Sequence, residues 1–234
     1  MRFNLFALII VLVIAMSCDE NIHEDTDITD TDSTGNPYSE AVAYYPFHGN
    51  TDDASANQHI GTSFGPLLTA GHNDSVNDAY HFDGTDDLIT VPDDTAFHFL
   101  NGITITAWVY AEEQKTQYIL TKGGGLPSPY KLALSGTGDV IFSINNSEVR
   151  NTGYSLNQWM HIAGSYDGIT MRLYVNGEEV GSLSAANALV IDTSPLFIGT
   201  RLGLSGDSFK GSIDEVALFD IGLTAAQLKL IYTN

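Results

Sequence analysis

The chain has 234 residues and a formal net charge of −20, with only 9 lysines and arginines. That field repels a phosphate backbone and offers few cations to an anionic substrate, which argues against nucleic acid as a partner. A hydrophobic content of 43% and 22 glycines suit one packed all-β domain with many turns, preceded by a tail.

The chain opens "MRFNLFALIIVLVIAMSCDE". Arg2 supplies a positive start, and the apolar run after it is shorter than the about 20 residues a membrane span needs. Residues 1–17 therefore read as a secretory signal. The ending "AMSC" resembles the lipobox of bacterial lipoproteins, with Ala15 where leucine is commoner. That resemblance implies cleavage before Cys18 and lipid attachment through it; the alternative is an ordinary signal peptide with an incidental cysteine. Cys18 is the only cysteine, so the mature domain has no disulfide. Residues 18–37 are dominated by Asp, Glu, Ser and Thr and bury too little apolar surface to offset the entropy of ordering, which predicts a disordered acidic tether. Acids directly after the cysteine resemble signals that send some Gram-negative lipoproteins to the outer face of the outer membrane. The expected location is a lipid-anchored position at the cell surface.

From residue 38 strand signals dominate. In "GITITAWVY" Ile103, Ile105, Ala107 and Val109 alternate with Thr104, Thr106, Trp108 and Tyr110. "LITV", "YKLALS" and "DVIFSIN" read as short strands. In "WMHIAGSYDGITMRLYVNGEEVGSL" strand-like runs flank Asp167-Gly168 and Asn176-Gly177. Both dipeptides favour type I′ turns, which predicts a three-strand meander. The one predicted helix is "LTAAQLKLIY": Thr224 and Gln227 form a capping box, and Leu228, Ile231 and Tyr232 share a face. Many short strands and one terminal helix argue for a β-sandwich.

The stretches "AYYPFHGNTDDASANQHIGT", "AYHFDGTDDLITVPDD", "ITITAWVY", "QWMHIAGSYDGITMRLYVNGEEVGS" and "FKGSIDEVALFDIGLTAAQL" occur in this order. Together they resemble the laminin-G-like, concanavalin A-like jelly-roll domain of bacterial surface proteins over residues 38–234. The resemblance implies two antiparallel sheets packed face to face, a fold that serves lectins, adhesion modules and glycosidases. Many relatives carry a disulfide near the C-terminal end that this chain cannot form. Ala56 and Gln58 stand where glycines are commoner.

In "SIDEVALF" strict alternation puts Ile213, Glu215, Ala217 and Phe219 on one face and Ser212, Asp214, Val216 and Leu218 on the other. Either inward face then carries a carboxylate, which is costly unless paired. A structural calcium, held by Asp214, Asp53 and Asn57 with neighbouring loop oxygens, is one solution, and laminin-G-like relatives commonly hold calcium where the early loop meets the "IDE" strand. The other is a turn in which Asp53 and Asp214 accept backbone N–H groups. Asp86 and Asp87 read as turn residues, or as a second ion or sugar site. His161 alternates with core residues in "WMHIAG" and reads as a satisfied structural histidine.

No paired-carboxylate glycosidase signature, nucleophile elbow or Cys/His pair is present, which argues against an enzyme. Trp108 and Trp159 sit at positions that read as core, leaving Tyr130, Phe97, Phe99 and Tyr154 as loop aromatics. The expected protein is a non-catalytic surface lipoprotein that binds a ligand, a carbohydrate first and a surface protein second.

Overall fold

The computed structural model describes residues 35–125, 128–145, 147–185, 189–201 and 206–234. The signal segment, Cys18 and most of the acidic tether lie outside the described residues.

Two antiparallel sheets stack face to face. The eight-stranded sheet runs in the order β13 (Glu178–Ser184), β12 (Thr170–Val175), β11 (Trp159–Tyr166), β6 (Ile103–Ala111), β15 (Lys210–Phe219), β4 (Ala79–Asp83) and β3 (Leu67–Thr69), and β1 (Ala43–Tyr45) also pairs with β15. The seven-stranded sheet runs β10 (Ser147–Thr152), β9 (Asp139–Ile144), β8 (Tyr130–Leu134), β7 (Gln117–Lys122), β14 (Leu196–Ile198), β5 (Leu88–Val91) and β2 (Thr62–Phe64). This is the jelly-roll sandwich expected from the strand pattern. The alternating set Ile103, Ile105, Ala107 and Val109 lies in the core between the sheets, with Phe142, Ile144, Leu132 and Leu196 from the opposite sheet. The sheets approach closely where Gly164 of β11 faces Phe142: a Cβ there would lie 2.2 Å from the phenyl ring.

The meander forms as predicted, but its two turns differ. Asn176 and Gly177 both adopt positive φ, 52° and 76°, as a type I′ turn requires. At the first turn only Gly168 does so, at 89°. There the Asp167 carboxylate accepts from the N–H groups of Ile169 and Thr170, and this side-chain bonding holds a longer loop in place of the tight turn.

The helix α1 (Ala225–Thr233) starts on the capping box of Thr224 and Gln227. Its buried Leu228 and Ile231 pack on the outer face of the eight-stranded sheet, in a second cluster with Tyr38, Tyr174, Ala217 and Phe219. The threonines of β6 that alternate outward are buried under the segment leading into α1. The Thr104 hydroxyl donates to Ile221 O at 2.7 Å and accepts from Leu223 N at 2.8 Å. Ser165 donates to Leu223 O at 2.9 Å. Thr104 and Ser165 are thus consumed in pinning that segment, whereas the buried Thr106 Oγ1 has no partner.

Strict alternation fails in β15. The register against β6 shifts between Asp214 and Ala217, and Glu215 adopts φ 47°. One extra residue forms a β-bulge. Ile213, Val216 and Leu218 therefore all enter the core, while Ala217 and Phe219 join the outer cluster. Asp214 and Glu215 fall together on the outer face rather than on opposite faces, so no carboxylate enters the inter-sheet core.

The tryptophans also depart from expectation. Trp108 and Trp159 are half-buried on the outer face of the eight-stranded sheet and are absent from the core. Trp108 follows the outward phase of its strand, stacking on His72 at 4.3 Å and on Tyr232 of α1 at 5.6 Å. His161, beside Trp108, is buried, yet neither ring nitrogen has a hydrogen-bond partner. It is buried on the outer face, against Trp108 and Tyr232 of α1, and is not a satisfied histidine. Burial, with a smaller contribution from the His72 charge, lowers its pKa from 6.5 to about 3.

Two predictions follow from this packing. Gly164→Ala must push the Phe142 ring aside and should destabilise the fold by about 1–3 kcal/mol in urea unfolding; an unchanged midpoint would contradict the close approach. Because the folded state disfavours the protonated His161, the unfolded state binds the extra proton and stability falls as pH drops below 6.5. Replacing the group, His161→Leu, should reduce the stability difference between pH 7 and pH 5 by about 2 kcal/mol; equal pH dependence in both proteins would contradict it.

Candidate functional site

Of the residues expected to share a calcium ion, Asp53 and Asn57 belong to the loop after β1 and Asp214 to β15. Asp53 is buried in the loop after β1, and both its oxygens are engaged. Oδ1 accepts from Tyr44 N at 2.9 Å and Ser55 N at 2.8 Å; Oδ2 accepts from Ser55 Oγ at 2.9 Å and His59 N at 2.8 Å. That is the turn geometry weighed against calcium. Asn57 is exposed and donates to Val42 O at 2.8 Å. Gln58 beside it takes positive φ, 59°, where glycine would be unstrained.

Asp214 sits on the bulge of β15. Its Oδ2 accepts from His72 N at 3.0 Å and lies 2.9 Å from His72 Nδ1, while Oδ1 is buried with no partner. Burial pulls the His72 imidazole down, but its hydrogen bond to Asp214 and the charges of Glu215 and Asp214 outweigh this and its pKa is raised. No hydrogen bond or ion pair among the described residues joins Asp53 or Asn57 to Asp214. Glu215 accepts from Tyr38 Oη at 2.9 Å and Tyr44 Oη at 3.4 Å, and the two tyrosine rings stack at 3.9 Å. Burial pushes the Glu215 carboxyl up, partly countered by these bonds.

Asp83, Asp86 and Asp87 have carboxylate oxygens within 4.8 Å of one another. Asp87 is buried and accepts from Asp83 N at 2.8 Å; Asp83 accepts from Thr85 N at 2.7 Å. These bonds are turn chemistry. Of the loop aromatics, Tyr130, Phe97 and Phe99 are buried in the core and only Tyr154 reaches the surface.

The outer face of the seven-stranded sheet carries an open groove of about 340 Å³. Its floor is one cross-strand row. Tyr118 of β7 pairs with Ala133 of β8, Ala133 with Ile141 of β9, and Ile141 with Arg150 of β10. Tyr118, Ala133 and Ile141 form a small apolar cluster of their own. The neighbouring row brings Lys131, Ser143 and Glu148 into line. Lys131 Nζ donates to Glu148 Oε1 at 2.9 Å, and Arg150 Nε to Glu148 Oε2 at 3.0 Å. At one end Asp139 accepts from Thr152, Thr137 and Ser135 at 2.7, 2.8 and 3.1 Å.

Partial burial raises the Glu148 carboxyl, but the hydrogen bonds and charges of Lys131 and Arg150 dominate and hold it below the usual range. Hydroxyl hydrogen bonds from Thr152 and Thr137 lower Asp139 in the same way. Both carboxylates are ionised acceptors. The groove thus offers an apolar floor, two cationic donors and one anionic acceptor, Glu148. The sequence holds this pattern as alternation within each strand, but only the inter-strand register aligns it.

No relative among curated protein sequences matches the chain. Among solved structures, domain 4 of AbnA, a GH43 extracellular arabinanase from Geobacillus stearothermophilus determined with arabinotriose, superposes with a TM-score of 0.66 at 19% identity, covering 81% of this chain and 97% of that one. The binding domain of Paraclostridial Mosquitocidal Protein 1 gives a TM-score of 0.69 at 14% identity over 84% of this chain, and that of botulinum neurotoxin serotype G gives 0.65 at 16% over 82%. The chain spans about half the length of those toxin domains, 52% and 50%. These likenesses establish the fold. The profile of the Laminin_G_3 family matches residues 83–229, more than half of the sequence, and the chain belongs to this concanavalin A-like lectin/glucanase superfamily.

Proposed function

We propose that the protein is a non-catalytic carbohydrate-binding module, held at the surface of a Gram-negative cell by lipid on Cys18, and that the groove over β7–β10 takes the glycan. The observation that carries this reading is the cross-strand row Tyr118–Ala133–Ile141 rimmed by Lys131, Arg150 and Glu148. A sugar ring presents C–H groups on its face and hydroxyls, each both donor and acceptor, around its edge. An apolar floor with fixed donors and acceptors complements it. The volume suits a few sugar units, and the open shape suits an internal stretch of a chain.

The other outer face is less free: α1, the turn at residues 36–41 and the Trp108 stack occupy much of it. The arabinanase domain determined with arabinotriose, matched over nearly its whole length, supports the same class of ligand. Catalysis is disfavoured because a glycosidase needs a protonated carboxyl as general acid, and Glu148 and Asp139 are both held ionised.

Calcium belongs to the proposal in a reduced form. Asp214, through its free Oδ1, is able to take a cation without giving up a hydrogen bond, whereas Asp53 would have to release donors.

The test is retardation of the chain in gels containing arabinan, xylan, pectin or β-glucan. At least one polysaccharide should retard it, and the pair Lys131→Met with Arg150→Met should weaken this about ten-fold or more, as charge-assisted bonds to a ligand would require. No retardation by any of them would shift the reading to a protein partner. Chelator should lower the melting temperature of the wild type and not of Asp214→Asn. The same response in both would remove calcium from Asp214, and no response in either would remove the ion.

A further inference from the structure

A second cavity, about 180 Å³, opens at the seam between β10, the edge of the seven-stranded sheet, and the β11–β12 end of the eight-stranded sheet. Asn151 of β10 and Tyr154 just after it form one wall; Gln158 and Trp159 at the start of β11, with Asn176 in the type I′ turn, form the other. In a chain of net charge −20, none of the lining residues is ionisable at neutral pH.

The polar groups are held ready rather than satisfied by one another. Asn176 Oδ1 accepts from His161 N at 2.9 Å, which fixes the amide and leaves its Nδ2 with no described partner. Asn151 Nδ2 reaches Val180 O only at 3.3 Å, leaving its carbonyl oxygen as an acceptor. Gln158 is exposed and makes no hydrogen bond with a described residue. The half-buried Trp159 ring is braced edge-on by Tyr110 at 5.7 Å and by His72 at 6.5 Å. The braced Trp159 therefore contributes a lining side chain whose orientation is set before anything binds.

We propose that this seam pocket is a second binding site, for a single neutral sugar unit. A charged ligand would find no counter-ion and would lose its hydration. A purely apolar ligand would strand three amides. A ring with one apolar face and a rim of hydroxyls meets both demands, and the volume holds one unit rather than a chain. The site does not depend on the groove, though the two are neighbours: the Tyr154 hydroxyl donates at 3.3 Å to the carbonyl of Ser135, which lines the groove.

The chain has two tryptophans, so Trp108→Phe leaves Trp159 as the sole indole reporter. The full chain carrying that change is titrated with L-arabinose, D-glucose, D-galactose and N-acetylglucosamine, and with arabinotriose. At least one should change Trp159 emission saturably. Gln158→Ala or Asn176→Asp, the latter keeping the acceptor for His161 and the positive φ, should weaken binding about five-fold or more. Lys131→Met with Arg150→Met should leave it unchanged. The proposal is overturned if none of the five sugars gives a saturable change, if neither amide variant weakens it, or if the groove variant abolishes it. The last result would place the bound sugar in the groove, so failure of the seam and failure of the groove remain separable.

Discussion

One inserted residue in β15 controls how the eight-stranded sheet presents its outer face. Without the bulge at Asp214 and Glu215, alternation would send one of the two carboxylates into the inter-sheet core, where no cation is at hand. With it, both emerge on the outside and each becomes an anchor. Asp214 draws in the loop at His72, which lies against Trp108. Glu215 gathers the hydroxyls of Tyr38 and Tyr44 and so ties the N-terminal turn to the middle of the sheet. The strand after the bulge recovers its phase, so Val216 and Leu218 fill the core while Ala217 and Phe219 meet α1. Cys18 is the only cysteine, so the chain has no internal disulfide, and these contacts tie the turn at residues 36–41 and α1 to the sheet.

This outer face is therefore taken up with holding the 36–41 turn and α1, and the proposed glycan groove lies on the broad face of the seven-stranded sheet. The charge distribution points the same way. In a protein this acidic, the few cations are informative where they converge. Lys131 and Arg150 converge on Glu148 above an apolar row, and the result is a nearly neutral strip in a strongly negative surface. An uncharged ligand with many hydroxyls is compatible with such a strip; a polyanion would still meet the field of the whole molecule.

The sandwich, the meander, the capped helix and the inward phase of β6 were legible because each rests on local periodicity or turn chemistry. The misreadings arose where a local rule yielded to register or burial. A bulge has no signature in "SIDEVALF", so the faces of Asp214 and Glu215 could not be read from alternation. Trp108 stood in the outward phase of "ITITAWVY", and reading the indole as core set its bulk above its phase. Asp167-Gly168 resembles a type I′ dipeptide, but the Asp167 side chain serves its own loop. The groove is invisible in sequence for a different reason: Tyr118, Ala133, Ile141 and Arg150 come from four strands and become a row only through pairing. Residues 1–17 and Cys18, on which the surface location rests, lie outside the described residues.

The central claim is that glycan binds along that row. Its most direct test is mapping of amide chemical shifts on the isotopically labelled chain as a retained polysaccharide fragment is added. The account predicts that the largest saturable changes fall on Tyr118, Ala133, Ile141, Glu148 and Arg150. Saturable changes elsewhere, with these five unmoved, would contradict it.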